Sequence, residues 1–260
     1  MELYIILIIG GILAGVLGGL LGIGGGILLM PIIRFFVGLS PAYAAGTCVV
    51  AIFFTTLGGS FRHYKQKHIN INSIIPVIAA GAVSTIIFSF IFLYFAKKGK
   101  WLDLGTGLVF SLVSIRMIIE GLLNLFEKKI EEAKGSEIQG SLPGKVVIGG
   151  FAGILPGFLG IGTGAILVPV FTFILKAPIK IAIGSSLACF SVNAFLSSIL
   201  KFFQGFINVE VIIPLCIGTL IGSNIGAILN KRLLSPVIKI MFGAVFTFIA
   251  VKYILLFFGE

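Results

Sequence analysis

The chain has 260 residues, of which 58% are hydrophobic and only 11% are charged. Soluble domains carry about 25% charged residues, so the composition excludes a soluble globular protein and predicts an integral membrane protein in a lipid bilayer. The apolar stretches lack strict alternation, which favours helices over a transmembrane barrel. The net charge of +10 does not indicate a nucleic-acid partner, because the basic residues lie between apolar stretches and form no stripe interleaved with aromatic residues.

Five apolar segments, A to E, make up the first half of the chain. They cover residues 3–21, 27–37, 41–61, 71–96 and 102–126. Segment B is too short to cross a bilayer, which takes about 20 residues. Segments A and B are therefore predicted to form a broken or re-entrant helix pair, followed by three transmembrane helices. Asp103 is expected to cap the start of segment E, and His63 and His68 are expected to lie solvated in a basic loop after segment C.

The second half repeats the first at an offset of 138 residues. Its segments A′ to E′ cover residues 146–159, 165–175, 179–200, 208–230 and 236–258. Matching positions need no gap from Gly11, which meets Gly149, to Pro76, which meets Pro214. The pattern indicates gene duplication, with a first repeat over 1–126, a polar cytoplasmic linker over 127–145 and a second repeat over 146–260.

An odd number of segments per repeat predicts that the two repeats have opposite orientations. Most loop lysines and arginines fall on the linker side, which the positive-inside rule places in the cytoplasm. Lys201 is assigned to the opposite, outer side. The sequence thus predicts an all-α polytopic membrane protein of two inverted repeats, located in the plasma membrane with both termini outside.

A glycine-rich motif interrupts the apolar sequence at matching places in both repeats. It runs over 21–31 and recurs over 159–169. Irregular backbone inside a membrane is tolerated only where it is buried in protein or lines a cavity, and paired breaks of this kind point to a transporter's substrate site. A helix that starts after such a break offers unpaired N–H groups and the positive end of its dipole to an anion. The predicted backbone site comprises Gly22, Gly24, Gly25, Gly26, Gly160, Gly162, Thr163 and Gly164.

The alternative interpretation is that these glycines only allow helices to pack closely. That interpretation is preferred for Gly11, Gly15 and Gly19, which follow one another at four-residue spacing. For the motif glycines, the shortness of segments B and B′ favours the substrate site.

Segments C and C′ supply neutral hydrogen-bonding side chains as secondary candidates for the substrate site. They are Thr47, Cys48, Thr55, Ser185, Ser186 and Asn193. Hydroxyl groups on membrane helices also bond to their own backbone or to a neighbouring helix, so a structural role remains open for each.

Charged and catalytic groups are scarce inside the segments. Arg116 and Glu120 lie four residues apart and are predicted to pair with each other. No nucleophile with an intramembrane histidine, and no cluster of metal-ligating residues, stands out in the sequence. We therefore predict no enzyme activity, no metal and no cofactor.

The duplicated glycine motif followed by a short apolar run and a proline resembles the TauE/SafE sulfite-exporter family. The resemblance covers nearly the whole chain and includes Ala44-Ala45-Gly46-Thr47, its counterpart from Ala182 to Ser185, and Phe61-Arg62-His63-Tyr64. It implies a permease for a sulfur-containing or organic anion, such as sulfite, thiosulfate or a sulfonate. The second repeat departs from the motif at Thr163, which stands in place of Gly25.

Together, the residues and the resemblance predict a secondary transporter that binds a small anion near the membrane midplane and works by rocking one repeat against the other. No ATP-binding motif is present, so the energy is expected from an ion gradient or a partner. The coupling ion, the direction of transport and the oligomeric state are not indicated. A passive anion channel, a permease for another ion and a non-transporting membrane scaffold remain the alternatives.

Overall fold

The computed structural model describes residues 2–126, 138–229 and 236–258, and no described residue lies in a strand. The helices, in chain order, are α1 (Glu2–Leu21), α2 (Gly26–Pro31), α3 (Pro41–Lys65), α4 (Ile71–Ala96), α5 (Gly99–Phe126), α6 (Leu142–Phe158), α7 (Gly164–Pro169), α8 (Ile179–Phe203), α9 (Val209–Leu229) and α10 (Pro236–Phe258). Helix α2 continues as a π-helix over Ile32–Phe36, and α7 continues as one over Val170–Ile174.

Seven helices in the described part of the chain are long and apolar enough to cross a membrane: α1, α3, α4, α5, α8, α9 and α10. This confirms the prediction of an all-α polytopic membrane protein. Helices α2 and α7 are short, as predicted. Helix α1, with 20 residues, reaches the spanning length by itself, so the first break follows a full-length helix. Its counterpart α6 has 17 residues.

Several helix ends differ from the sequence prediction. Helix α3 continues to Lys65, so Arg62, His63 and Lys65 of the predicted basic loop belong to its last turn. Helix α5 begins at Gly99, which places Asp103 inside the helix, and its predicted role as an N-cap is wrong. Helix α6 begins at Leu142, where Ser141 accepts a hydrogen bond from the Gly144 N–H. Residues 127–137 of the predicted linker lie outside the described residues.

Glycines bring α1 into backbone contact with α9. A Cβ atom on Gly15 would lie 2.5 Å from the Thr219 carbonyl oxygen, and a Cβ on Gly11 would lie 2.9 Å from that of Leu215. A Cβ on Gly19 would overlap the Ser223 carbonyl. The packing interpretation of these three glycines is confirmed.

The same contacts recur between α6 and α4 at the offset of 138 residues. A Cβ on Gly153 would overlap the Gly81 carbonyl oxygen, and one on Gly157 would lie 2.6 Å from the Thr85 carbonyl. The first helix of each repeat therefore packs along the fourth helix of the other repeat. The two repeats interlock.

This exchange divides most of the protein into two mixed bundles. Bundle 1 contains α1, α2, α3 and α9, and bundle 2 contains α6, α7, α8 and α4. The two bundles meet along α3 and α8, while α5 and α10 pair with each other. This arrangement maps onto itself when the repeats are exchanged. The opposite orientation of the repeats in the membrane stays a prediction.

Candidate substrate site

The first glycine break turns the chain from α1 into α2 through left-handed backbone. Gly22, Gly24 and Gly25 have φ values of 73°, 77° and 74°, a region that side chains with a Cβ rarely adopt. The Gly24 N–H reaches back to the Gly18 carbonyl at 3.5 Å. These three glycines are therefore required by the path of the chain.

The second break follows a different path. Only Gly160 is left-handed in it, with φ of 65°. Thr163, in the place of Gly25, has φ of −90° and precedes the first residue of α7. The departure from the motif at Thr163 is explained, because this position needs no glycine.

The two breaks cross each other in the interior, and we call residues 22–26 and 160–164 the glycine crossing. A Cβ on Gly164 would overlap the Gly22 carbonyl oxygen, and one on Gly162 would overlap that of Ile23. A Cβ on Gly26 would lie 3.0 Å from the Gly162 nitrogen. Every glycine that the sequence predicts for the site is buried. Backbone from both repeats thus meets at one point.

Both helices that leave the crossing begin with unpaired N–H groups. In α2, hydrogen bonding starts at Leu28 and Leu29, whose N–H groups donate to the Gly25 carbonyl at 3.0 and 3.1 Å. In α7, Ile166 and Leu167 bond to the Thr163 carbonyl, each at 2.9 Å. Among the described residues, no acceptor pairs with the N–H groups from Gly25 to Ile27 or from Gly162 to Ala165. Two positive helix ends therefore face the same buried region.

Three of the predicted side chains border the crossing. The Ser186 hydroxyl donates to the Gly22 carbonyl at 3.0 Å, and Cys48 Sγ lies 3.9 Å from the Gly26 carbonyl oxygen. The Thr55 hydroxyl donates to the Ala51 carbonyl within its own helix. Its methyl group lies beside the first break, 3.5 Å from where a Gly25 Cβ would be. Thr163 also contributes a buried hydroxyl, for which the described residues provide no hydrogen-bond partner.

Thr47 and Ser185 occupy matching positions in the two repeats, and each bonds to the residue just before a transmembrane helix. Thr47 Oγ1 accepts a hydrogen bond from the Asn208 N–H at 3.0 Å, just before α9. Ser185 Oγ accepts one from the Asn70 N–H at 3.4 Å, just before α4. These hydroxyls fix the starts of two transmembrane helices, so their geometry supports helix positioning.

Asn193 is buried where α8 packs on α4. Its side-chain nitrogen lies 2.6 Å from where a Gly81 Cβ would be. Neither polar atom of its amide has a hydrogen-bond partner in the described chain. Asn193 therefore stays a candidate for the substrate site.

Two basic residues assigned to loops are in fact buried. His63 is 0% exposed, and its Nε2 lies 3.4 Å from the Gly19 carbonyl oxygen. Lys201 is also 0% exposed, and its Nζ lies 2.7 Å from the centre of the Phe92 ring. Their prediction as solvated or loop residues is wrong, because neighbouring helices cover the last turns of α3 and α8. His68 lies in the loop after α3, where burial and the nearby Lys180 lower its pKa.

Two ion pairs account for the acidic residues of α5. Arg34 binds Asp103 through two hydrogen bonds of 3.0 and 2.8 Å, which tie the end of the first short helix to α5. The scarcity of acidic residues in the apolar segments is a signal that could have predicted this pair. Arg116 binds Glu120 at 2.6 Å, as predicted.

Comparison with known proteins places the chain in a family. The family description "Sulfite exporter TauE/SafE" matches residues 7–253. The chain belongs to the TauE/SafE family. No solved structure matches it.

Curated relatives of this TauE/SafE protein are named as transporters. It is 23% identical to "Probable membrane transporter protein YunE" of Bacillus subtilis (strain 168), over 96% of this chain and 97% of that protein. It is 26% identical to "Probable membrane transporter protein MJ0441" of Methanocaldococcus jannaschii, over 92% of this chain and 91% of that protein. These names and the seven apolar helices support a multi-pass membrane protein of a transporter family.

Proposed function

We propose that this protein is a secondary transporter for a small sulfur-containing anion, such as sulfite, thiosulfate or an organosulfonate, and that the anion binds at the glycine crossing. The observation that carries the proposal is the meeting of two helix starts with unpaired N–H groups at one buried point. Helix N-termini bind anions through these groups and through the helix dipole. The Thr163 hydroxyl and the Asn193 side-chain amide are further donors for which the described chain provides no hydrogen-bond partner.

The acidic residues of α5 support an anion as the ligand rather than a cation. Asp103 and Glu120 are each bound by an arginine, so neither presents an unpaired carboxylate to a cation. The glycines of the crossing carry no Cβ, which allows their backbone to approach the ligand closely. A compact oxyanion can accept hydrogen bonds from both helix starts at once.

Access to the crossing requires the two breaks to separate, since they are in backbone contact. Rocking one repeat against the other would break the α1–α9 and α4–α6 contacts, in which glycine backbones touch. Rocking bundle 1 against bundle 2 keeps both contacts and moves the boundary along α3 and α8. We therefore assign alternating access to the mixed bundles, and each bundle carries one half of the crossing.

The family description names sulfite export, which makes sulfur oxyanions the first substrates to test. We place the protein in the plasma membrane with both termini outside, as the distribution of basic loop residues indicates. A coupling ion or a partner protein supplies the energy.

Thermal unfolding of the detergent-purified protein tests the proposed ligand class. The anion panel is sulfite, thiosulfate, sulfoacetate, sulfate, phosphate and chloride at equal ionic strength. A ligand that binds only the folded protein, at 100 times its Kd, adds about 2.7 kcal/mol of stability. Selective stabilisation by one sulfur anion supports the proposal. A panel without any selective response contradicts it and favours the scaffold alternative.

A further inference from the structure

Lys201 is a buried lysine for which the described residues provide neither a hydrogen-bond acceptor nor an acidic partner. The residue is 0% exposed, and its Nζ forms no hydrogen bond within the described part of the chain. The face of the Phe92 ring lies 2.7 Å from Nζ. A ring face attracts a cation. It does not replace the oxygen acceptors of the three hydrogen bonds that an ammonium group can donate. Burying an amine without such acceptors is costly, and a bound oxyanion that accepts its hydrogen bonds would offset that cost.

Two further polar atoms near this part of α4 lack a hydrogen-bond partner in the described chain: Ser89 Oγ, on α4 itself, and Gln204 Oε1, just after α8. Gln204, one turn after Lys201, donates through Nε2 to the Ser89 carbonyl at 3.0 Å. Ser89 lies one turn before Phe92, so Lys201 and Gln204 reach the same part of α4. Ser89 is 0% exposed. Neither its hydroxyl nor the Gln204 side-chain oxygen has a hydrogen-bond partner among the residues that the structure describes.

The other repeat provides an internal comparison, because its matching end contains the structural contact without the lysine. Gln66 donates to the Ala227 carbonyl at 3.5 Å, and these residues correspond to Gln204 and Ser89 at the offset of 138. The glutamine contact therefore belongs to the shared fold. The ammonium group and the serine hydroxyl occur at one end only, since His63 and Ala227 stand in their places.

This polar cluster is separate from the glycine crossing. Along α8, Phe190 lies against Gly24 of the crossing, and Lys201 is 11 residues further on. A helical rise of 1.5 Å per residue puts about 16 Å between them. The contacts of Gly46 with Phe206 and of Gly184 with His68 show that α3 and α8 are antiparallel. His63 and Lys201 therefore lie at opposite ends of the α3–α8 pair.

We infer that Lys201, with the Ser89 hydroxyl, forms a second anion site between α4 and α8, at one end of the path to the glycine crossing. The inference rests on the proposed function, and it assigns the site to the same small sulfur oxyanion. The ligand is the dissolved anion of the proposed function, and the phosphate of a lipid headgroup is the alternative source that the test below separates from it. The site holds the anion before or after it reaches the crossing, and it makes the path asymmetric.

The test compares the full-length wild type with Lys201→Met in the anion titrations of thermal unfolding, using sulfite, thiosulfate and sulfoacetate separately. Lys65→Met is the matched control, since Lys65 is an exposed lysine whose Nζ lies 4.4 Å from the centre of the Phe61 ring. We expect Lys201→Met to need at least tenfold more anion for half of the wild-type shift, and to have a higher Tm without anion. Lys65→Met should titrate like the wild type.

Two further variants keep the test decisive if Lys201→Met does not fold. Lys201→Arg retains the charge and should retain the anion response, whereas Ser89→Ala should weaken it several-fold. Wild-type titration midpoints in both Lys201→Met and Ser89→Ala would overturn the inference and leave the proposed function standing. A wild type that responds to none of the three anions overturns both. Stabilisation by phosphatidylglycerol in place of the soluble anions, lost in Lys201→Met, overturns the assignment to a dissolved ligand.

Discussion

Replacing Gly24 with alanine should inactivate the protein without unfolding it. Gly24 has φ of +77°, and an added Cβ would lie 2.5 Å from Cε1 of Phe190. The left-handed backbone costs an L-residue about 1–2 kcal/mol. Carbon atoms prefer a separation of about 3.5–4.0 Å, so the Phe190 ring must shift by about 1 Å, and such overpacking costs about 1–3 kcal/mol.

The summed loss of about 2–5 kcal/mol is smaller than most of the range of 5–15 kcal/mol typical of folded domains, so we expect a folded protein with a lower Tm. Gly38→Ala is the matched control. Gly38 has φ of +80°, but nothing lies within 4 Å of its added Cβ. Gly38→Ala should lose only the stability that the left-handed backbone costs an L-residue, about 1–2 kcal/mol, and it should keep transporting the anion.

The assay combines Tm with uptake of labelled anion into proteoliposomes. At roughly 2–4 °C per kcal/mol, crowding at Phe190 should separate the two variants by several degrees. Adding Phe190→Leu to Gly24→Ala should recover part of that difference, as expected for residues in contact. Equal Tm losses in Gly24→Ala and Gly38→Ala, or undiminished uptake in Gly24→Ala, would refute the reasoning.

Three further predictions concern the frame around the crossing. Gly153→Ala should lower the free energy of unfolding by about 1–3 kcal/mol, because the added Cβ forces α6 away from α4. Gly150→Ala, with open space around its Cβ, should not lower it. Unfolding in denaturant compares the two variants, and equal stabilities would contradict the packing. Asp103→Asn should cost about 1.5–3 kcal/mol, because it removes the carboxylate that accepts two hydrogen bonds from the Arg34 guanidinium. A Tm like that of the wild type would show that the pair is not stabilising. Thr47→Ala should lower the free energy of unfolding by about 1 kcal/mol, because the hydrogen bond at the start of α9 is lost. The KM for the anion should not change. A large rise in KM would show that this hydroxyl contacts the substrate.

The helix pattern was predictable where local chemistry defines the ends. Helix α4 begins at the predicted residue because Asn70 caps it, with Oδ1 accepting a hydrogen bond from the Ser73 N–H at 3.2 Å. The repeat also predicted the packing glycines, because four-residue spacing marks one face of a helix. These features depend on residues that are close in sequence.

Features that depend on distant contacts were not predictable. A basic residue after an apolar segment normally marks a loop, yet Lys201 is buried because Phe92 of α4 lies over it. His63 is buried because the end of α1 covers it. The Arg34–Asp103 pair joins residues 69 positions apart. The glycine motif predicted that both breaks belong to one site, but not that their backbones touch, as Gly164 and Gly22 do.

Uptake of ³⁵S-labelled thiosulfate and sulfite by proteoliposomes containing the purified protein tests transport most directly. Each anion is measured over a range of concentrations, with and without unlabelled anion loaded inside. A carrier that alternates between two bundles predicts saturable uptake that unlabelled internal anion accelerates and that Gly24→Ala abolishes. Uptake that rises linearly with concentration and ignores the internal anion would indicate a passive channel. No uptake above protein-free liposomes for any anion in the panel would contradict transport at the glycine crossing.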